Sequence, residues 1–157
     1  MAVKSIPEGY STVTPYLIVH DAAGALEFYK KAFGATELMR FGGPGGKIGH
    51  AEIQIGTSRV MLADEHPEMG ALSPRTIGGS AGGLALYVED VDARFQQAVA
   101  AGGKVLRAVA DQFYGDRSGT LEDPFGHKWT LATHKEDVSP EEMHRRMEAF
   151  RKQNASG

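Results

Sequence analysis

Residues 12–35 read TVTPYLIVHDAAGALEFYKKAFGA, and the same layout returns at 82–103 as GGLALYVEDVDARFQQAVAAGG. Each stretch opens with an apolar, aromatic-rich run that reads as a strand, near 12–20 and 82–89. Asp21 and Asp90 then stand where an N-cap belongs, a carboxylate ready to accept from the first-turn amides. Helical stripes follow: Ala22, Leu26, Tyr29 and Phe33 in the first, Val91, Phe95, Ala98 and Gly102 in the second. Gly34 and Gly103 are expected to close the two helices. Further on, Val60-Met61-Leu62-Ala63 falls on Trp129-Thr130-Leu131-Ala132 at the same offset of 69. A gapless internal repeat is therefore expected.

Three more strands complete each half, near 36–42, 47–55 and 58–64, then near 104–110, 116–122 and 127–133. The pattern is βαβββ twice, an α+β fold. We expect a first repeat over 10–66, a linker or cover loop over 67–81, a second repeat over 82–136, and a C-terminal helix over 138–154. Ser139, Pro140 and Glu142 form the capping signature of that last helix, and Val138 and Met143 suit its hydrophobic staple. Met143, Met147 and Phe150 give it a short apolar stripe, fit for packing on its own domain or on a partner.

Composition narrows the function. The 157 residues carry no cysteine, which excludes disulfides, thiolate metal sites and cysteine nucleophiles. A net charge of −3 with scattered basic residues argues against nucleic acid. No apolar run reaches spanning length and no signal-peptide layout opens the sequence, so no membrane partner and a cytoplasmic location are expected. The glycine clusters at 42–46 and 78–83 open no helix, as a phosphate loop would.

The doubled βαβββ pattern, EFYKKAFGA in the first helix and LEDPFGHKW before the last strand resemble the vicinal-oxygen-chelate superfamily of glyoxalases, bleomycin-resistance proteins and dioxygenases. GHAEIQIGTSRVMLADE, DQFYGDRSG and DPFGHKWTLATH are most similar to its PhnB-like branch. The resemblance covers about residues 10–136. It implies cupped mixed sheets with helices on the convex side, a ligand held between the repeats, and a homodimer that covers apolar strands and sheet edges. It also implies four metal-ligand positions, occupied here by Thr14, Met61, Gly83 and Thr130. Divalent ions need nitrogen or carboxylate donors, so no metal and no other cofactor is expected.

The resemblance places those four positions on the concave side, and strand alternation extends that face to the rest of the cup lining. Tyr16, Ile18, Ala63, Ala85, Tyr87 and Ala132 share its face, and Ile53 and Ile55 point to the helices, leaving His50, Glu52 and Gln54 inside. His50 and Glu52 are the catalytic candidates as an acid–base pair, or else a polar rim on a half-wet strand. Gln112, Phe113, Tyr114 and Arg117 join Tyr16, Gln54 and Tyr87 as ligand-binding candidates, or else form a hairpin turn held by Asp116 and Arg117. His20, His66, His127 and His134 read as strand-end or loop residues. The stretch 65–80 exceeds ordinary loop length and suits a cover over the cup or a plain linker. Three functions fit: a metal-independent binder of a small molecule, a metal-independent isomerase or lyase using His50 and Glu52, and a glyoxalase-type metalloenzyme with relocated ligands.

Overall fold

The computed structural model describes residues 2–155. Its first half runs β1 (Tyr16–Val19), α1 (Ala22–Phe33), β2 (Thr36–Gly42), β3 (Ile48–Ile55) and β4 (Ser58–Asp64). A connection bearing the short helix α2 (Pro74–Ile77) leads to β5 (Gly83–Tyr87), α3 (Val91–Ala100), β6 (Lys104–Asp111), β7 (Asp116–Glu122) and β8 (Lys128–His134). The helix α4 (Pro140–Asn154) follows. Two separate four-stranded mixed sheets result, ordered β1-β4-β3-β2 and β5-β8-β7-β6. In each, the first strand runs parallel to the last and the other pairs are antiparallel. This is the expected α+β architecture.

The repeat explains the local structure. Asp21 accepts from Gly24 N and Asp90 from Ala93 N, both at 3.0 Å, capping α1 and α3. The next orphan donor is met equivalently: Ala22 N donates to Asp64 Oδ1, and Val91 N to Thr133 Oγ1. Gly34 closes α1 in the left-handed region (φ 67°), its amide bonded to Lys30 O. β1 begins only after Pro15, shorter than expected, although Met61 N still reaches Pro15 O.

The repeat is not gapless. Tyr16 pairs with Met61 and Ala85 with Thr130, an offset of 69 on both strands. Glu52 also pairs with Met61, yet its counterpart opposite Thr130 is Thr120, an offset of 68. β2 obeys 68 as well, since Met39 lies across from Glu52 and Arg107 across from Thr120. The second half loses one residue between its helix and β6, where α3 stops at Ala100 and Gly102, not Gly103, takes the positive φ of 124°. It regains one at the turn between β7 and β8. Two residues join Ile55 to Ser58, whereas Asp123 N still reaches back to His127 O.

Both convex faces bear on one core. Leu17, Val19, Ile53, Val60 and Leu62 of the first sheet join Leu121, Trp129 and Leu131 of the second, with α1 and α3 packed together among them. Trp129 lies 4.6 Å from the Phe33 ring and 5.4 Å from Tyr29, both on α1. At the centre Asp123, 3% exposed, accepts four hydrogen bonds. Phe125 N and His127 N reach Oδ1 at 2.9 Å each; Tyr29 OH at 2.6 Å and Trp129 Nε1 at 2.9 Å reach Oδ2. Because the convex faces meet, the concave faces look away from each other. Among the described residues, the concave faces of the two repeats therefore enclose no common ligand space within one chain, contrary to what the family resemblance implies.

The 65–80 connection is anchored to the domain at its middle. Ser73 is fully buried, its amide donating to Glu65 Oε2, and Pro74 packs beside Gly126. The Thr76 hydroxyl and then Ser73 lower the Glu65 pKa to about 2. α4 keeps only a light hold on the domain, through Phe150 against Phe113 (5.3 Å) and Arg146 forked onto Glu136. Ser139 caps it, but Glu142 turns to Arg145 and Arg146 instead of completing the capping box.

Asp123→Ala strands the Tyr29 hydroxyl and the Trp129 indole in the core. Such losses of buried partners cost about 3–5 kcal/mol, and urea unfolding is expected to read a destabilisation in that range. Tyr29→Phe removes one donor from the carboxylate and is expected to cost less, about 1–3 kcal/mol.

Candidate functional site

The concave face of the first sheet carries Tyr16, Ile18, Met39, Phe41, His50, Glu52, Met61 and Ala63, by alternation and register. His50, Glu52 and Gln54 do share this face, with Ile53 and Ile55 buried on the other. Tyr16 OH lies 2.8 Å from His50 Nδ1, and His50 Nε2 lies 3.0 Å from Glu52 Oε1. A neutral ring satisfies both contacts when Tyr16 donates to Nδ1 and Nε2–H donates to the carboxylate. The chain of hydrogen bonds leads from an acid in a well-shielded position (Glu52, 15% exposed) to a phenol that is 47% exposed. Phe41 stacks 6.5 Å from His50 and presents its other surface to solvent. Chemically this is an apolar floor carrying one exposed hydroxyl that is hydrogen-bonded to the His50–Glu52 pair.

The concave face of the second sheet is more polar. Tyr87 OH donates to Asp116 Oδ2 at 2.9 Å, and His134 Nδ1 lies 2.7 Å from Asp116 Oδ1. His134 Nε2 meets Asp137 at 2.9 Å, so both ring nitrogens face carboxylates and favour the imidazolium. Asp116 first, then Asp137, raises the His134 pKa. The same Asp116 raises that of Tyr87. Tyr114 OH lies 3.4 Å from Ser118 Oγ on this face.

The candidates thus divide. Tyr16, His50 and Glu52 come together; Tyr87 and Tyr114 lie on the other concave face. Gln54 shares the first face, but its amide donates to Gly56 O. Gln112 bonds the backbone of Ala110, and Phe113 is taken up by Tyr114 and Phe150. Arg117 is not on the concave side: it grips Asp92 in the first turn of α3 and also Asp111. The expected Asp116–Arg117 ion pair does not form, because successive strand residues point to opposite faces. Ser118, Thr120 and Arg107 were not singled out, and Asp116 and His134 were read as a turn residue and a strand-end residue. Alternation carried through β7 and β8 from Thr130 and Ala132 finds all of these but Arg107.

The four family ligand positions do not fit a divalent ion. Met61 offers a thioether and Gly83 no side chain. Thr14 precedes β1, its hydroxyl 3.5 Å from Ser11 O, and the Thr130 hydroxyl is held 2.9 Å from Thr120 Oγ1. None is a nitrogen or carboxylate donor. Among the described residues, no three His, Asp or Glu side chains are gathered in a metal-holding group.

Two mixed βαβββ sheets with an apolar concave face define the glyoxalase-like fold. The family model of the Glyoxalase/Bleomycin resistance protein/Dioxygenase superfamily matches residues 11–131, and the chain belongs to that superfamily. An uncharacterized protein of Mycobacterium tuberculosis, Rv0887c, is 45% identical over 134 residues, covering 83% of this chain and 79% of its own. A gene product of Arabidopsis thaliana of known structure is 26% identical, with a TM-score of 0.64 over 78% of this chain and 98% of that one. A Bacillus cereus structure described as a PhnB protein and putative 3-demethylubiquinone-9 3-methyltransferase shares the fold at 20% identity. Its TM-score is 0.60, over 78% of this chain and 99% of that one. No helix of the described residues is long and apolar enough to cross a membrane.

His134 sets a pH dependence. Its ring titrates near 6.5 when unconstrained and higher in the fold. The contact therefore stabilises fully below 6.5 and fades as pH rises through the folded value. The stability difference between the parent and His134→Gln, read by denaturant unfolding, is expected to shrink from acid to alkaline pH; a constant or growing difference contradicts the assignment.

Proposed function

We propose that this chain is a metal-independent small-molecule-binding protein of the PhnB-like branch that holds its ligand on the concave faces of its sheets. The observation that carries this reading is the Tyr16–His50–Glu52 hydrogen-bond chain on an exposed apolar face. Apolar surface with a few placed polar groups is the composition of a ligand site. The donor set at the family's metal positions supports the metal-free part. The name of the Bacillus cereus neighbour and the motifs shared with that branch support the placement. A second copy closes the site: Tyr16, Phe41 and Tyr87, respectively 47%, 58% and 63% exposed, lie on faces that one chain leaves open. A homodimer pairing the first sheet of one copy with the second sheet of the other encloses both faces.

The same geometry favours one further reading, an isomerase or lyase in which His50 moves a proton through Tyr16 while Glu52 orients the ring. NMR in deuterium oxide separates the two: catalysis exchanges a carbon-bound proton of the ligand, whereas binding leaves it in place.

Sedimentation at micromolar concentration is expected to show a dimer, and a monomer counts against the closed cup. The pair His50→Leu with Glu52→Leu is expected to leave folding nearly intact, because both polar partners go together. Binding of 4-nitrophenol, followed by its absorbance, is expected to weaken by about 1–3 kcal/mol, the scale of a lost charged hydrogen bond. Unchanged binding places the site elsewhere.

A further inference from the structure

One row of side chains crosses the concave face of the second sheet, one residue per strand: Ala85, Thr130, Thr120 and Arg107. The equivalent row of the first sheet is Tyr16, Met61, Glu52 and Met39. At matching levels, one face presents a carboxylate and the other a guanidinium. Arg107 Nη2 donates to Thr120 Oγ1 at 3.1 Å, and that hydroxyl lies 2.9 Å from Thr130 Oγ1. A fixed cation therefore stands two hydrogen bonds from a position that metal-dependent relatives give to an ion, and that here has no metal donor.

Two features leave Arg107 available to a ligand. β6 slips register on both sides of it, between Val105 and Arg107 and again between Arg107 and Ala110. Bulges of this kind re-aim a side chain. Its charge is also unspent. Arg40, Arg117, Arg145 and Arg146 are bound to carboxylates, whereas Arg107 is bound to one neutral hydroxyl and, like Arg59, Arg75, Arg94 and Arg151, to no carboxylate among the described residues. The adjacent row places Glu122 between Lys128 and Lys104, which adds net positive charge. A guanidinium has five N–H donors, so four stay available. Whichever threonine donates within the Thr120–Thr130 pair, one hydroxyl proton also stays free.

We propose that this face binds an oxyanion (the carboxylate, phosphonate or phosphate of a small molecule), with Arg107 as charged anchor and the Thr120–Thr130 pair as neighbouring donor. The planar fork of arginine matches two oxygens of such a group at once. The inference rests on the reading of the concave faces as ligand surfaces and names the ligand's chemistry.

The test uses two probes on the full chain: phenylphosphonate and its neutral dimethyl ester, titrated by calorimetry. Phenylphosphonate is expected to bind about tenfold tighter or better, the scale of a charged hydrogen bond. In Arg107→Met the two probes are expected to bind alike, and in Arg107→Lys part of the preference returns. Thermal unfolding of each variant confirms that it is folded. Equal binding of both probes by the parent, or a preference that survives Arg107→Met, overturns the oxyanion site while leaving the ligand surface standing. Failure of both probes to bind overturns the ligand surface as well.

Discussion

The arrangement of this molecule turns on the buried carboxylate of Asp123. A lone ionised group in a core is costly, and it is tolerated only where every lone pair finds a donor. Asp123 finds four, from its own turn, from Trp129 in β8 and from Tyr29 in the other repeat. The first two shape the turn after β7. The other two fix α1 against the convex side of the second sheet, where Phe33 and Trp129 complete the contact. One side chain thus ties the repeats together through their helical sides.

That tie decides what the concave faces can do. Helices held between the sheets leave Tyr16, His50 and Glu52 facing one way and Tyr87, Asp116 and His134 the other. The two faces differ chemically. The first is apolar, with a single carboxylate behind a histidine. The second carries hydroxyls and a free guanidinium. In the proposed dimer, a second copy that brings opposite faces together would supply an amphiphilic ligand with both kinds of contact.

Much of this was legible in the sequence, for physical reasons. β2, β4 and β7 begin and end where residue pattern places them, and Asp21 and Asp90 do cap their helices. Period-two alternation put His50, Glu52 and Gln54 on one face because one side of β3 is wholly apolar. Three features were not legible. The offset slips by one in the middle strands, since the loss after α3 and the gain in the next turn cancel before Trp129. Arg117 and Asp116 are adjacent and oppositely charged, which reads as a pair until the pleat separates them. The outward turn of the concave faces depends on Tyr29 and Asp123, 94 residues apart, whose contact no local pattern announces.

The central claim is that the two concave faces of one chain point away from each other. The absence of native cysteines lets Met39→Cys and Lys128→Cys carry spin labels at two chosen sites, one on each face. Labelled chains diluted with unlabelled protein then report the distance within a chain. With a helix layer between two sheets, each step about 10 Å, pulsed dipolar spectroscopy is expected to give a separation beyond roughly 20 Å. A single population well below that distance would mean that the faces of one chain look at each other, and would contradict the account.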